Sequence, residues 1–114
     1  MARHHNYRVW QQAQRQLIEV ARITNDLRFG DLASQLRRAA ISVVSNIVEG
    51  AGRRNDREFA HFLGIARASN DEIAAQLDVA NALFGTDVAT IQAANDRLGR
   101  MLTALIVHLR DADS

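Results

Sequence analysis

Six arginines in the first two thirds of the chain have the chemistry to bind phosphate. They are Arg37, Arg38, Arg53, Arg54, Arg57 and Arg67. The planar guanidinium group presents a fork of N–H donors that matches phosphate oxygens. No aromatic residue lies between Arg53 and Arg57, so base stacking has no evident platform there. The pattern predicts nucleic-acid binding of low sequence specificity and strong salt dependence.

The same arginines also suit ion pairs within an oligomer, and this alternative stays open for Arg37, Arg38 and Arg67. Possible carboxylate partners are Glu49, Asp56, Glu58 and Glu72. Arg53, Arg54 and Arg57 are the stronger phosphate candidates, because they lie at a predicted exposed turn. Residues 1–67 contain 11 arginines against six acidic residues, whereas residues 68–114 contain three against seven. The basic half and the acidic half therefore offer a complementary pair of surfaces.

A catalytic or metal centre is not expected. Glu58 and His61 have the Glu-x-x-His spacing of half a di-iron site, but that site needs a second such pair and two further inward carboxylates. We find no second pair, no nucleophile motif and no phosphate-cradling glycine loop. The sequence therefore predicts a non-enzymatic protein with no cofactor and no bound metal.

The composition predicts one all-helical domain over residues 1–114. The chain is 47% apolar and has no proline and no cysteine, which suits long helices and excludes disulfides and thiolate metal sites. No segment approaches the ~20 apolar residues that span a bilayer, and the N-terminus lacks the apolar run of a signal peptide. A cytoplasmic protein without membrane contact is the default expectation.

Apolar periodicity and capping residues predict four helices, at residues 7–25, 31–50, 56–84 and 87–109. Asn55 and Glu58 have the spacing of a reciprocal N-cap, and Gly85 is expected to end the third helix. The second helix is expected to begin after a turn at Gly30 with positive φ and to stop at Gly50 to Gly52. Short loops between long helices predict an antiparallel up-down-up-down four-helix bundle.

The second helix has an apolar surface too wide for one neighbour. We therefore expect part of it to contact another subunit, through small and polar residues that allow close approach. The predicted interface residues are Ser42, Ser45, Asn46 and Glu49. In the third helix, Asn70 interrupts the apolar row, and it either fixes the helix register or faces a partner or water. Gly99 predicts a close helix crossing in the fourth helix.

The stretch from Gln35 to Arg54, QLRRAAISVVSNIVEGAGRR, resembles a family of four-helix-bundle proteins encoded in intervening sequences of large-subunit rRNA genes. The Ser-Asn-Ile-x-Glu-Gly element at Ser45 to Gly50 is its most specific part. The family usually has proline where this chain has Val44, and leucine where it has Asn70. The resemblance implies a homopentameric ring with a basic surface that contacts nucleic acid.

A second function follows from the relatives of that family. They include the accessory variability determinant of diversity-generating retroelements, which resembles a partner of a reverse transcriptase. The alternative is therefore a protein-interaction scaffold or accessory subunit that makes no direct contact with RNA or DNA.

Overall fold

The computed structural model describes residues 4–113, so the first three residues and Ser114 of the predicted domain lie outside it. It contains four long helices: α1 (His4–Ile23), α2 (Asp31–Ala51), α3 (Asp56–Phe84) and α4 (Ala89–Asp113). A single 3-10 helical turn, Leu27–Phe29, lies between α1 and α2. No strand occurs between residues 4 and 113, which confirms the all-helical class for that part of the chain.

Capping residues set the bounds of α2 and α3 to within one residue of the prediction. The side-chain oxygen of Asn55 accepts a hydrogen bond from the Glu58 N–H over 2.8 Å, and the Glu58 carboxylate accepts one from the Asn55 amide over 2.9 Å. Gly85 has φ +67° and donates its N–H to the Asn81 carbonyl, which ends α3 as expected. Gly30 has the predicted positive φ.

The ends of α1 and α4 differ from the prediction. α1 already includes His4 and ends at Ile23, before a turn that Asp26 caps. α4 begins at Ala89, because the Asp87 carboxylate accepts the Ala89 N–H over 3.1 Å and holds the preceding residues outside the helix. It continues beyond residue 109 to Asp113, since no glycine or proline follows Leu109 and Leu109 itself is buried in the core.

The connection between α1 and α2 is held by a local ion pair. Asp26 accepts the Arg28 backbone N–H over 3.0 Å, and its carboxylate lies 2.7 Å from Nη2 of Arg28. The side-chain hydrogen bond from Arg28, helped by the backbone N–H, lowers the pKa of the Asp26 carboxyl. The next residue, Phe29, stacks on Phe84 at 5.1 Å and packs this turn against the end of α3.

The predicted stop at Gly50 to Gly52 is only partly correct. Gly50 lies inside α2, and Gly52 ends the helix in an ordinary right-handed conformation, with φ −80°. Gly50 is needed for packing: a Cβ atom on it would lie 2.8 Å from Cδ1 of Phe59 and 2.8 Å from Cβ of Phe62. The missing side chain lets the end of α2 approach the start of α3.

The four helices share one core. α1 contacts α2 and α4, and α3 contacts the same two helices, so each helix has two main neighbours. Leucine, isoleucine, valine and alanine fill the interior, where the largest completely buried side chains include Leu36, Leu63, Leu77, Leu98 and Leu102. None of the described helices is long and apolar enough to cross a membrane.

Three buried polar side chains join α1, α3 and α4. Gln16 donates from Nε2 to Oδ1 of Asn70 over 3.0 Å, and Asn95 donates from Nδ2 to Oε1 of Gln16 over 2.8 Å. Asn70 in turn donates to the Asn95 carbonyl over 3.0 Å. The hydrogen-bond partners of Asn70 lie within the same chain, which agrees with the register-fixing interpretation and not with a partner-facing one. A Cβ on Gly99 would lie 3.4 Å from Nδ2 of Asn70, which is an ordinary van der Waals distance to one side-chain atom, so the close helix crossing expected at Gly99 stays a prediction.

Candidate nucleic-acid interface

Three of the six predicted arginines lie together at one end of the molecule. Arg53 and Arg54 occupy the short connection between α2 and α3, and Arg57 lies in the first turn of α3. All three are exposed. We call Arg53, Arg54 and Arg57 the end cluster. Among the described residues, neither Arg54 nor Arg57 makes an ion pair, so both keep an uncompensated positive charge.

Arg53 differs from the other two members of the end cluster. Its Nη2 lies 2.6 Å from Oε1 of Glu49, and its guanidinium carbon lies 4.7 Å from the centre of the Phe62 ring. The ion pair partly neutralises its charge, although exposed pairs of this kind contribute little energy. The cation–π contact orients the side chain over the α2–α3 junction. The sequence leaves ion pairing open for Arg37, Arg38 and Arg67 within an oligomer, whereas the ion pair seen within the subunit is that of Arg53.

Arg37 ties α2 to the end of α1. Its Nε donates to Oγ1 of Thr24 over 2.7 Å, and its Nη2 donates to the Asn25 side chain over 3.3 Å and to the Ala21 carbonyl over 3.4 Å. All these acceptors are neutral, so the positive charge remains. The side chain nevertheless has a structural role at the start of α2, which is the opposite end of that helix from Arg53.

Arg38 and Arg67 lie apart from the end cluster. Arg38 is exposed on α2 and makes no ion pair with a described residue. Arg67 is half-buried and borders a groove of about 630 Å³ between α3 and α4, beside Asn70. Ten residues of helix separate Arg67 from Arg57, which is about 15 Å along α3. The six arginines therefore do not form one continuous surface within the subunit.

His61 and Arg110, which the sequence does not predict for this interface, lie beside Arg57. The end of α4 lies beside the start of α3, where Arg57, Ala60, His61 and Arg110 line a groove of about 420 Å³. Arg110 is exposed and makes no ion pair with a described residue. Local sequence carries no signal for this meeting, because α3 and α4 come together here only in the folded bundle.

Two of the predicted interface residues form hydrogen bonds within the subunit. The hydroxyls of Ser42 and Ser69 are 2.8 Å apart and join α2 to α3, while Asn46 donates to the Ser42 carbonyl over 2.8 Å. Ser45 and Glu49 are exposed on α2, with Glu49 engaged by Arg53. An intersubunit role for these four residues stays a prediction, although Ser42 and Asn46 already have partners.

The apolar surface of α2 extends beyond what the subunit covers. Ile41 is 52% exposed and Val48 is 54% exposed, and their spacing of seven residues places them on one face. Ile18 of α1 is 55% exposed and borders the same groove as Ile41, between α1 and α2. We call Ile18, Ile41 and Val48 the apolar ridge. Arg22 and Arg37 border it.

The residues of the partial di-iron pattern have other contacts. Glu58 caps α3 through Asn55, and the His61 ring packs edge-on against Phe62 at 5.4 Å. Within the described residues, no group of three or more His, Asp or Glu side chains is placed to hold a metal ion.

Comparison with known proteins agrees with the fold. A crystal structure of a protein of unknown function from the S23 ribosomal protein family of Bacteroides thetaiotaomicron superposes with a TM-score of 0.81. The alignment covers 90% of this chain and 97% of the other, at 15% identity, and shows similarity of fold alone. No curated protein matches. The sequence profile of the 23S rRNA-intervening sequence proteins matches residues 5–105, and the chain therefore belongs to that family.

Proposed function

We propose that this protein is a non-enzymatic, cytoplasmic homopentamer of antiparallel four-helix subunits, which binds RNA or DNA with low sequence specificity. The observation that carries the nucleic-acid proposal is the end cluster, where three exposed arginines lie on one short connection and the helix that follows it. The proposed partners of the protein are further copies of the same chain and the nucleic-acid backbone.

The charges of the end cluster favour phosphate over protein carboxylates as the ligand. Arg54 and Arg57 have no ion pair among the described residues, so binding a phosphate does not require an internal bond to break. The nearby Phe62 ring is half-buried and lies beneath Arg53. Because the end cluster itself contains no aromatic residue for stacking, we expect phosphate contacts to dominate and sequence specificity to be low.

Self-assembly is supported by the apolar ridge. Three branched aliphatic side chains, each about half exposed, lie along α1 and α2. Covering the exposed half of each side chain contributes about 1 kcal/mol. A closed ring requires a heterologous interface, in which the ridge of one copy meets a different face of the next. The number five comes from the family resemblance. A ring would repeat the end cluster around one rim and so multiply its charge.

The nucleic-acid proposal is tested by binding of a fluorescent single-stranded RNA and a duplex DNA across a series of salt concentrations. We expect affinity to fall steeply with salt, and Arg54→Glu/Arg57→Glu to abolish most of it. The matched control is Arg15→Glu/Arg97→Glu, which changes the net charge equally on α1 and α4. Equal loss in both variants, or no binding by the unaltered protein at low salt, would contradict the proposal.

Light scattering of the same samples tests the assembly. We expect the mass of a pentamer for the unaltered protein and for both charge variants. A folded monomer at micromolar concentration would refute the ring.

The second candidate is a protein-interaction scaffold, for example an accessory subunit of a reverse transcriptase. The apolar ridge favours it too, since an exposed apolar face also suits a different protein. An oligomer that binds neither nucleic acid at any salt concentration would favour this alternative.

A further inference from the structure

Two arginines and one histidine line the groove between the start of α3 and the end of α4. Arg57 and Arg110 contribute two guanidinium groups, and His61 contributes an imidazole. The fourth lining residue, Ala60, is 3% exposed, and its small side chain leaves the space between the donors open. The groove has a volume of about 420 Å³, which accommodates a phosphate group together with its attached sugar.

Two arginines that share a groove repel each other, and an anion bound between them would relieve that repulsion. Neither Arg57 nor Arg110 forms an ion pair with a described residue, although acidic residues occur next to both in the sequence. A guanidinium group donates two parallel hydrogen bonds to a phosphate, and charge-assisted bonds of this kind are stronger than neutral ones. A bound phosphate would therefore engage donors for which no described residue provides a carboxylate partner.

We propose that Arg57, His61 and Arg110 form a phosphate-binding site, which holds one phosphodiester group of a nucleic-acid backbone beside Arg54. The identity of this ligand rests on the proposed nucleic-acid function, whereas the site itself rests on the groove. Arg54 lies on the α2–α3 connection and Arg57 in the first turn of α3, so the strand runs from the α2–α3 junction across the start of α3 to the end of α4. Arg110 is the residue that distinguishes this path from one limited to the end cluster.

The site is tested first without nucleic acid. Inorganic tripolyphosphate is titrated into protein labelled with ¹⁵N in the arginine side chains, and the Nε–H signals are followed by NMR. We expect the Arg57 and Arg110 signals to move together, with the Arg97 signal unchanged. Arg110→Gln should weaken tripolyphosphate binding about tenfold, as expected for the loss of a charge-assisted hydrogen bond, and Arg97→Gln should not. Absence of any shift at Arg57 and Arg110 would overturn the site.

The second measurement is the affinity for single-stranded RNA as salt is varied. Arg110→Gln and Arg57→Gln should each reduce the slope of log affinity against log salt by about 0.7, the value for one phosphate contact on a single strand. Arg97→Gln should leave the slope unchanged. If the unaltered protein binds RNA and Arg110→Gln behaves like Arg97→Gln, the path across α4 is wrong while the proposed function stands.

The two measurements also distinguish a failure of the proposed function from a failure of the phosphate site. If tripolyphosphate moves the Arg57 and Arg110 signals but RNA does not bind, the groove is a phosphate site and the proposed function is wrong. The phosphodiester assignment is then overturned together with it, and a free phosphate compound becomes the ligand. Far-ultraviolet circular dichroism of each variant shows that the helices are retained.

Discussion

Oδ1 of Asn70 accepts a hydrogen bond from Nε2 of Gln16 over 3.0 Å, in the interior of a bundle otherwise filled by aliphatic side chains. The two residues are 2% and 1% exposed, so removing one partner leaves a buried polar group of the other without its hydrogen bond. Asn95 completes the network from α4. A polar network that is satisfied only in one alignment of three helices selects that alignment over slipped ones.

The first prediction concerns Asn70→Leu, which replaces a member of this network by an aliphatic residue of similar size. The substitution removes the acceptor of Gln16 and a hydrogen-bond partner of Asn95, so we expect it to lower the free energy of unfolding by about 2–4 kcal/mol. The triple variant Gln16→Leu/Asn70→Leu/Asn95→Leu should lose much less than the sum of the three single changes, because no polar group is left unpaired. Urea denaturation measures the free energy of unfolding of the single variants and of the triple variant. Additive losses would show that the network is not a unit.

The second prediction uses two glycines as a matched pair. Gly50→Ala places a Cβ 2.8 Å from Phe59 and Phe62, and we expect it to destabilise the fold by about 1–3 kcal/mol. Gly64→Ala meets no atom within 4 Å on α3, and it should stabilise the fold by up to about 1 kcal/mol through helix propensity. Thermal and urea unfolding of both variants measure the two changes in the free energy of unfolding. A neutral Gly50→Ala would mean that α2 and α3 separate easily at this end.

The third prediction concerns the apolar ridge. Ile41→Asp should reduce the oligomer to smaller species, because it places a charge at the proposed subunit interface. Ile41 is half exposed, so the subunit itself should stay folded. Val107→Asp is the control, since Val107 is 50% exposed on α4, away from the ridge. Size-exclusion chromatography with light scattering gives the masses. An unchanged mass for Ile41→Asp would remove the ridge from the interface.

The fourth prediction concerns pH. Since Arg28 lowers the pKa of Asp26 in the folded state, the ionised carboxylate is favoured there. Its contribution to stability is complete above the unfolded-state pKa of an aspartate and is lost as the pH falls through the lower folded-state pKa. Carboxyl NMR titration should place Asp26 below an ordinary aspartate. Arg28→Gln should raise the midpoint of Asp26, and an unchanged midpoint would contradict the assignment.

Much of the fold follows from interactions that are local in the chain. Asn55 and Glu58 bound α3 because both cap partners lie within one turn, and the apolar spacing of α2 and α3 reports which face is buried. Gly85 ends α3 because its positive φ suits glycine. The all-helical class and the bounds of α2 and α3 could be predicted for this reason. The ends of α1 and α4 could not, since they depend on side chains of the turns and on burial of the last turn.

The sequence by itself determined the helices, the concentration of arginine in the first half and the excess apolar width of α2. Only the tertiary structure decided that Gly50 serves helix packing, that Gln16 and Asn95 complete the bonds of Asn70, and that Arg110 lies beside Arg57. These relationships join residues that are distant in the chain. Helical periodicity states which face of a helix is buried, but the residue opposite it is set by how the helices pack against one another.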